Sequence, residues 1–289
     1  MKKWAQLTAP DVLAIGLATC GQTAEPTPET PEEQISDMTL GEVFDKSMEI
    51  SNATESLSAK VDMTQKMEQS SEDLTMETAS VMDMNITMDP LAIYQKSTTT
   101  IRTDGSEEEQ PLNIEMYMTE QGFFMNDETT VKWKKNPYEM YDQIAQMTEL
   151  KSDPSQQLKQ LEEFKDDFTF EQTGSKYVLK LSASGEKFNA LIEEQMSQFL
   201  SELEGEENQA AIDEMMEGMN IEKIDYTINI DKETFETTTV DMIMDMTMEM
   251  EGETMQINQV MNADYSNYNG VETITVPEDI VNNAQEMQM

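Results

Sequence analysis

The sequence predicts an α+β protein: one large curved antiparallel β-sheet, a half-barrel, with helices packed in its concave face. Three observations carry this expectation. The first is a pair of runs in which methionine keeps one parity. Leu74, Met76, Met82, Met84, Ile86 and Met88 fall on one set of alternate positions, and Met242, Met244, Met246, Met248 and Met250 on another. Side chains alternate faces along a strand, so each run gives one sulfur-rich apolar face and one largely polar face, whereas a helix would scatter both. The second observation is length. The run from Leu74 to Met88 would be about 50 Å long if straight, more than an ordinary sheet uses, and such strands twist and curl. The third is element order: helix, strands, helices, hairpin, helix, strands. Short turns between successive strands imply antiparallel pairing, with the helices on the apolar side.

Taken in order, the chain opens with Met1-Lys2-Lys3 and an apolar run from Val12 to Ala18 that reads as an export signal, too short to span a bilayer as a permanent helix. Pro10 and Asp11 interrupt that run, and a charge there opposes insertion. Residues 1–20 form the signal, ending at Cys20. Residues 21–37 are rich in Pro, Thr and Glu and predict a disordered acidic tether. Residues 38–289 are expected to form a single domain. Thr39-Leu40-Gly41-Glu42 fits a capping box, so a helix is expected from about Leu40 to Ala53.

Strands follow at Leu57–Gln69, with Ala59, Val61, Met63 and Met67 on one face, then at Leu74–Met88, Ile93–Thr103 and Leu112–Met118, and from Phe123 to Val131. Met116 and Met118 share the apolar parity of their strand. Helices are expected after the proline starts Asn136-Pro137 and Asp153-Pro154, the second carrying Leu158, Leu161 and Phe164. A hairpin joins Phe168-Phe170 to Tyr177-Leu181 across Gly174-Ser175. A further helix bears Phe188, Leu191 and Phe199, and a 3.6-residue stripe runs through Ile212, Met215, Met216 and Met219. Strands at Ile221–Ile230, Phe235–Met250 and Met255–Tyr265 close the sheet, with Met255 and Met261 on the apolar side, and Pro277–Ala284 suggests a final helical turn.

Composition excludes several functions. Acidic residues number 59 against 18 basic, a formal charge of −41, and Arg102 is the only arginine. Such a surface repels phosphate backbones, so no nucleic-acid partner is expected. Histidine is absent and Cys20 is the only cysteine. That removes the usual general base, imidazole and thiolate metal sites and an intramolecular disulfide. No enzyme, cofactor or metal centre is expected.

Leu17-Ala18-Thr19-Cys20, the Pro/Glu tether, the Thr39–Met48 helix, Gly122-Phe123-Phe124-Met125 leading to Trp133-Lys134, and the turn Ile230-Asp231-Lys232-Glu233-Thr234 together resemble an uncharacterised Gram-positive lipoprotein family. The folded part of that family is similar to LolA/LppX-type lipoprotein-localisation carriers. Thr19 stands where the family's lipobox has glycine, alanine or serine. The resemblance implies lipidation at Cys20, a place outside the cytoplasm on the cell membrane (or secretion if Cys20 is not lipidated), and a hydrophobic cavity that holds acyl chains in characterised relatives.

The methionines admit several readings. They can be plain core, or a wall that accommodates a hydrophobic small molecule or lipid, because methionine is flexible and polarizable. The expected ligand-facing set is Met76, Met82, Met84, Met88, Met116, Met118, Met242, Met244, Met246, Met248, Met255 and Met261. Thioethers also bind Cu(I), although spreading them over ordered strands argues against a single site, and exposed methionines can scavenge oxidants. The preferred expectation is a surface-anchored carrier or sensor of a hydrophobic ligand. The alternative is an interaction module whose helices fill the cavity and whose outer face meets a partner protein. Asp241 and Asp245, between the methionines, read as a solvated outer face, and Trp133 among Lys132, Lys134 and Lys135 as a strand-end residue packed under a loop.

Overall fold

The computed structural model describes residues 21–69, 74–103, 111–127, 132–136, 164, 168–185, 189, 218–250 and 253–286. The expected helices between Pro137 and Leu161 and from Phe188 to Met216 lie, Asn189 apart, outside the described residues, as do the turns at Asp104-Gly105 and Glu251-Gly252. So does Cys20.

The described strands build one half-barrel sheet. They are β1 (Glu25–Pro26), β2 (Ser56–Gln69), β3 (Leu74–Met88), β4 (Leu91–Thr103), β5 (Leu112–Thr119), β6 (Gly122–Asp127), β7 (Lys134–Asn136), β8 (Phe168–Gln172), β9 (Lys176–Ser184), β10 (Met219–Asp231), β11 (Thr237–Met250), β12 (Glu253–Ser266) and β13 (Gln285–Glu286). Their order is β1-β8-β9-β10-β11-β12-β2-β3-β4-β5-β6-β7-β13. The inner pairs are antiparallel, as short connections require. The sheet is nonetheless mixed, because β1 lies parallel to β8 and β13 parallel to β7. Both edges are thus covered by short segments near the ends of the chain, which limits edge-to-edge pairing with another sheet.

Helix α1 (Leu40–Ala53) starts where the capping box places it: the Glu42 N–H donates to Thr39 Oγ1 at 3.3 Å and the Thr39 N–H to Glu42 Oε2 at 2.8 Å. Its fully buried Val43 packs against Phe170, Tyr177, Leu179 and Ile230, on the same face of the sheet as the methionines. α1 therefore lies on the apolar side, as expected.

The N-terminal segment departs from the free tether. Ala24 is buried, the Thr27 N–H donates to the Gln172 carbonyl at 2.9 Å, and the Leu40 N–H donates to the Gln22 carbonyl at 2.8 Å. The side chain of Gln172, with 0% exposure, organises the rest. Its Nε2 donates to the carbonyls of Ala24 (2.7 Å) and Ser36 (3.0 Å), and its Oε1 accepts from the Ser36 N–H (2.8 Å) and Lys232 Nζ (2.7 Å). The segment has little to bury, but its backbone satisfies one buried amide. Composition cannot reveal that partner.

Several boundaries also differ. Phe235 was expected in a strand but sits in the preceding turn at φ 60°, with its ring 6.3 Å from Tyr177 and Lys46 Nζ 4.5 Å from its centroid. Met219, expected on a helix stripe, begins β10. The strand expected to reach Val131 ends at Asp127, with 128–131 outside the described residues, and β7 was not anticipated. Gly122, at φ 134°, makes the tight β5–β6 turn, a backbone conformation that side-chain-bearing residues rarely adopt.

On the opposite face, the C-terminal segment with α2 (Glu278–Asn283) covers the β5–β7 end. Fully buried Phe124 packs there with Val276 and Ile280, and Trp133 joins at 5.6 Å from Tyr117. Burial and the nearby Tyr94 and Glu115 push the Tyr117 hydroxyl up to about 12, and burial with Glu236 and Tyr265 does the same for Tyr268. Folding favours these phenols in the neutral form. Their contribution to stability is intact below the ordinary pKa of 10.0 and is lost as pH rises toward about 12. Ultraviolet titration should show a late-ionising group of phenols in the parent, Tyr94, Tyr226 and Tyr265 being raised as well, and one fewer in each of Tyr117→Phe and Tyr268→Phe; ionisation of all phenols near pH 10 would contradict this packing.

Candidate functional site

Pairing register assembles the methionine face strand by strand. Residues directly opposite on antiparallel neighbours share a face, with Cβ atoms about 4.5–5.5 Å apart. Tyr226 faces Met242, Met242 faces Met261, and Met261 faces Met63. One row along, Ile228 faces Val240, Val240 faces Ala263, Ala263 faces Val61 and Val61 faces Met82. Met84 lies opposite Ala59 and Gln95, and Gln95 opposite Met116. Met118 lies opposite Ile93, and Met88 opposite Leu91. At the far end Met246 faces Ile257, which faces Met67, which faces Met76, while Met248 faces Met255.

All twelve methionines expected to face the ligand therefore share one side of the sheet. Met118 and Met242 are buried, Met88 is 38% exposed, and the others are half-buried. The face is not uniformly apolar. Gln65, Thr78, Ser80, Gln95, Ser97, Thr99 and Gln259 share it, and the buried Ser80 hydroxyl is satisfied by Thr99 Oγ1 at 2.9 Å.

Sequence reading left out members of the same face. Met63 and Met67 were legible from parity but stayed outside the ligand-facing set. Met125, opposite Met116, lies on a short strand with a weak alternating signal. Met219, opposite Met248, is hidden by a register shift between Ile221 and Lys223 that puts Ile221 and Ile224 on one face despite their opposite parity.

Two concavities lined by described residues border this architecture. A slot of about 290 Å³ runs between α1 and the sheet, walled by Ser47, Ile50 and Thr54 of the helix and by Leu57, Met88, Val240, Tyr265 and Tyr268. That is at the small end for a ligand pocket. The larger, about 490 Å³, is mostly on the opposite face, lined by Thr64, Lys66, Glu77, Ala79, Thr100, Arg102 and Asn258. Its polar lining, with Arg102 3.3 Å from Glu77, does not suit an acyl chain. Part of the methionine face is covered: Phe164, 2% exposed, packs in one cluster with Leu181, Ile221, Ile224 and Met242, and Met244, Met246 and Met261 lie against it. Asp241 and Asp245 accept from the Asn262 and Asn258 side chains on the outer face.

Chemically, the arrangement offers soft apolar surface and neutral hydrogen-bonding groups. Among the described residues no cluster of three or more His, Cys, Asp or Glu side chains is placed to hold a metal ion, and no helix is long and apolar enough to cross a membrane.

Fold and face together define a half-barrel sheet protein with one methionine-rich side. The chain belongs to a family of unknown function, DUF6612, which matches residues 39–285. No curated protein matches it. Among solved structures it is similar to a DUF1329 family protein from Desulfovibrio piger, with 9% identity over 80% of this chain and 93% of that one, at a TM-score of 0.23. It is also similar to a β-barrel-like protein of domain of unknown function DUF1849 from Brucella abortus, with 8% identity over 73% of this chain and 98% of that one, at a TM-score of 0.18. At these scores nothing about function passes from either.

Proposed function

We propose that this protein is an extracytoplasmic lipoprotein, anchored to the membrane through Cys20, whose half-barrel holds a hydrophobic acyl-type ligand against the methionine face as a carrier or sensor. One observation carries the reading: twelve methionines on four strands share one side of one sheet, and most of them are only half-buried. A core meant only to be filled gains specificity from branched side chains of fixed shape, whereas thioether chains adapt to a partner of variable shape. The protein performs no catalysis in this reading.

The packing of Phe164 on Met242 favours a second reading, in which the chain's own side chains fill the face and the outer surface engages a partner protein.

Substitution separates the two. Replacing Met82, Met84, Met244 and Met246 together with leucine keeps volume and apolarity, so each change should cost less than about 1.5 kcal/mol and leave uptake of a fluorescent fatty acid unchanged. Met82→Glu with Met244→Glu should abolish uptake, because a charge on an apolar face is costly to desolvate. Uptake that survives the glutamates, or is absent from delipidated parent protein, supports the interaction module instead.

A further inference from the structure

The register brings three thioethers side by side at one end of the sheet. Met219 of β10 lies directly opposite Met248 of β11, and Met248 directly opposite Met255 of β12. All three are half-buried, so each residue keeps part of its surface in solvent. Met246, two residues from Met248 on the same strand and face, adds a fourth sulfur beside them. The backbone tightens at this point. A Cβ on Gly218 would stand 2.2 Å from the Glu249 carbonyl oxygen, so only glycine allows β10 to enter this close to β11, immediately before Met219. From opposed Cβ atoms about 5 Å apart, the flexible chains of Met219 and Met255 can lean toward Met248 and bring three sulfurs to one point.

We infer that Met219, Met248 and Met255 form a binding site for a soft monovalent cation, Cu(I). The donor set selects the ion. Neutral thioethers favour Cu(I), whereas Mg²⁺ and Ca²⁺ require oxygen ligands. The formal charge of −41 raises the local concentration of cations around the molecule. A second row, Met63–Met261–Met242, has the same register but a different role. Met242 is 8% exposed in the cluster that holds Phe164, and Met261 packs against that cluster, which leaves this row partly covered. The rim site takes Met248 and Met255 from the face used in the acyl-ligand reading, whereas Met82, Met84 and Met244, which the acyl test substitutes, lie outside it, so the two can fail separately.

The test uses the full chain carrying Cys20→Ser, so that no thiol competes, with Cu(I) supplied anaerobically against a chromophoric chelator. The parent should withdraw a single Cu(I) ion. Loss of even an outer-shell partner costs a metal site about 10-fold in affinity, so Met248→Leu should lose at least that much, and the triple leucine variant should lose binding altogether. Met82→Leu with Met84→Leu should bind as the parent does. X-ray absorption of the loaded parent, which depends on no variant folding, should show a first shell of sulfur alone. The inference is overturned if the parent leaves all Cu(I) with the chelator, if a folded triple variant retains it, or if the shell contains oxygen or nitrogen.

Discussion

Gln172→Leu is expected to lower the unfolding free energy by about 3 kcal/mol and to free the N-terminal segment. Leucine keeps the volume but removes an amide that holds the Ala24 and Ser36 carbonyls, the Ser36 N–H and Lys232 Nζ at 2.7–3.0 Å in a site with no solvent access. Each buried polar group left without a partner costs about 1–3 kcal/mol, and the segment limits the loss by peeling into water. Urea denaturation should show the lowered midpoint, and limited proteolysis should cut between Gln22 and Met38 while the sheet survives. A change below about 0.5 kcal/mol with no new cleavage would mean that the amide does not hold the segment.

The second large effect is expected at Phe164. Truncating a buried phenylalanine costs about 3–5 kcal/mol through lost transfer energy and the cavity left behind. Phe164 is 2% exposed against Leu181, Ile221, Ile224 and Met242, so Phe164→Ala should fall in that range by chemical denaturation. The same change opens the cluster against which Met244, Met246 and Met261 pack. If the methionine face takes a hydrophobic ligand, fatty-acid uptake should rise as stability falls. A loss under about 1 kcal/mol would show that Phe164 adds little to this core, and a full loss with unchanged uptake would favour the filled, ligand-free reading.

Much of this architecture was legible because it is periodic. Parity alone placed Met82, Met84, Met242 and Met244 on one side of one sheet, and the capping residues Thr39 and Glu42 placed the start of α1. What escaped was non-local or aperiodic. The tether is held by Gln172, 136 positions from Ser36, and no local composition encodes that contact. Met219 continues the 3.6-residue spacing of Ile212, Met215 and Met216 and so reads as a helix residue, and the register shift between Ile221 and Lys223 inverts the parity of β10 that would have tied it to the strand. Phe235 looked like a strand residue because it is aromatic, yet its positive φ turns it toward Tyr177 and Lys46. The site was legible as a face and not as a pocket. Which methionines lie open and which are covered depends on α1 and Phe164, whose packing partners are set by the tertiary fold.

In the proposed function the methionine face carries a hydrophobic ligand. Native mass spectrometry of the protein purified from its host tests it most directly, because a ligand that stays bound adds its own mass. An added mass that matches an acyl-bearing molecule is expected, separate from any mass covalently attached at Cys20, present in the leucine variant of Met82, Met84, Met244 and Met246 and absent from Met82→Glu with Met244→Glu. A parent protein that flies with no noncovalent ligand would contradict it.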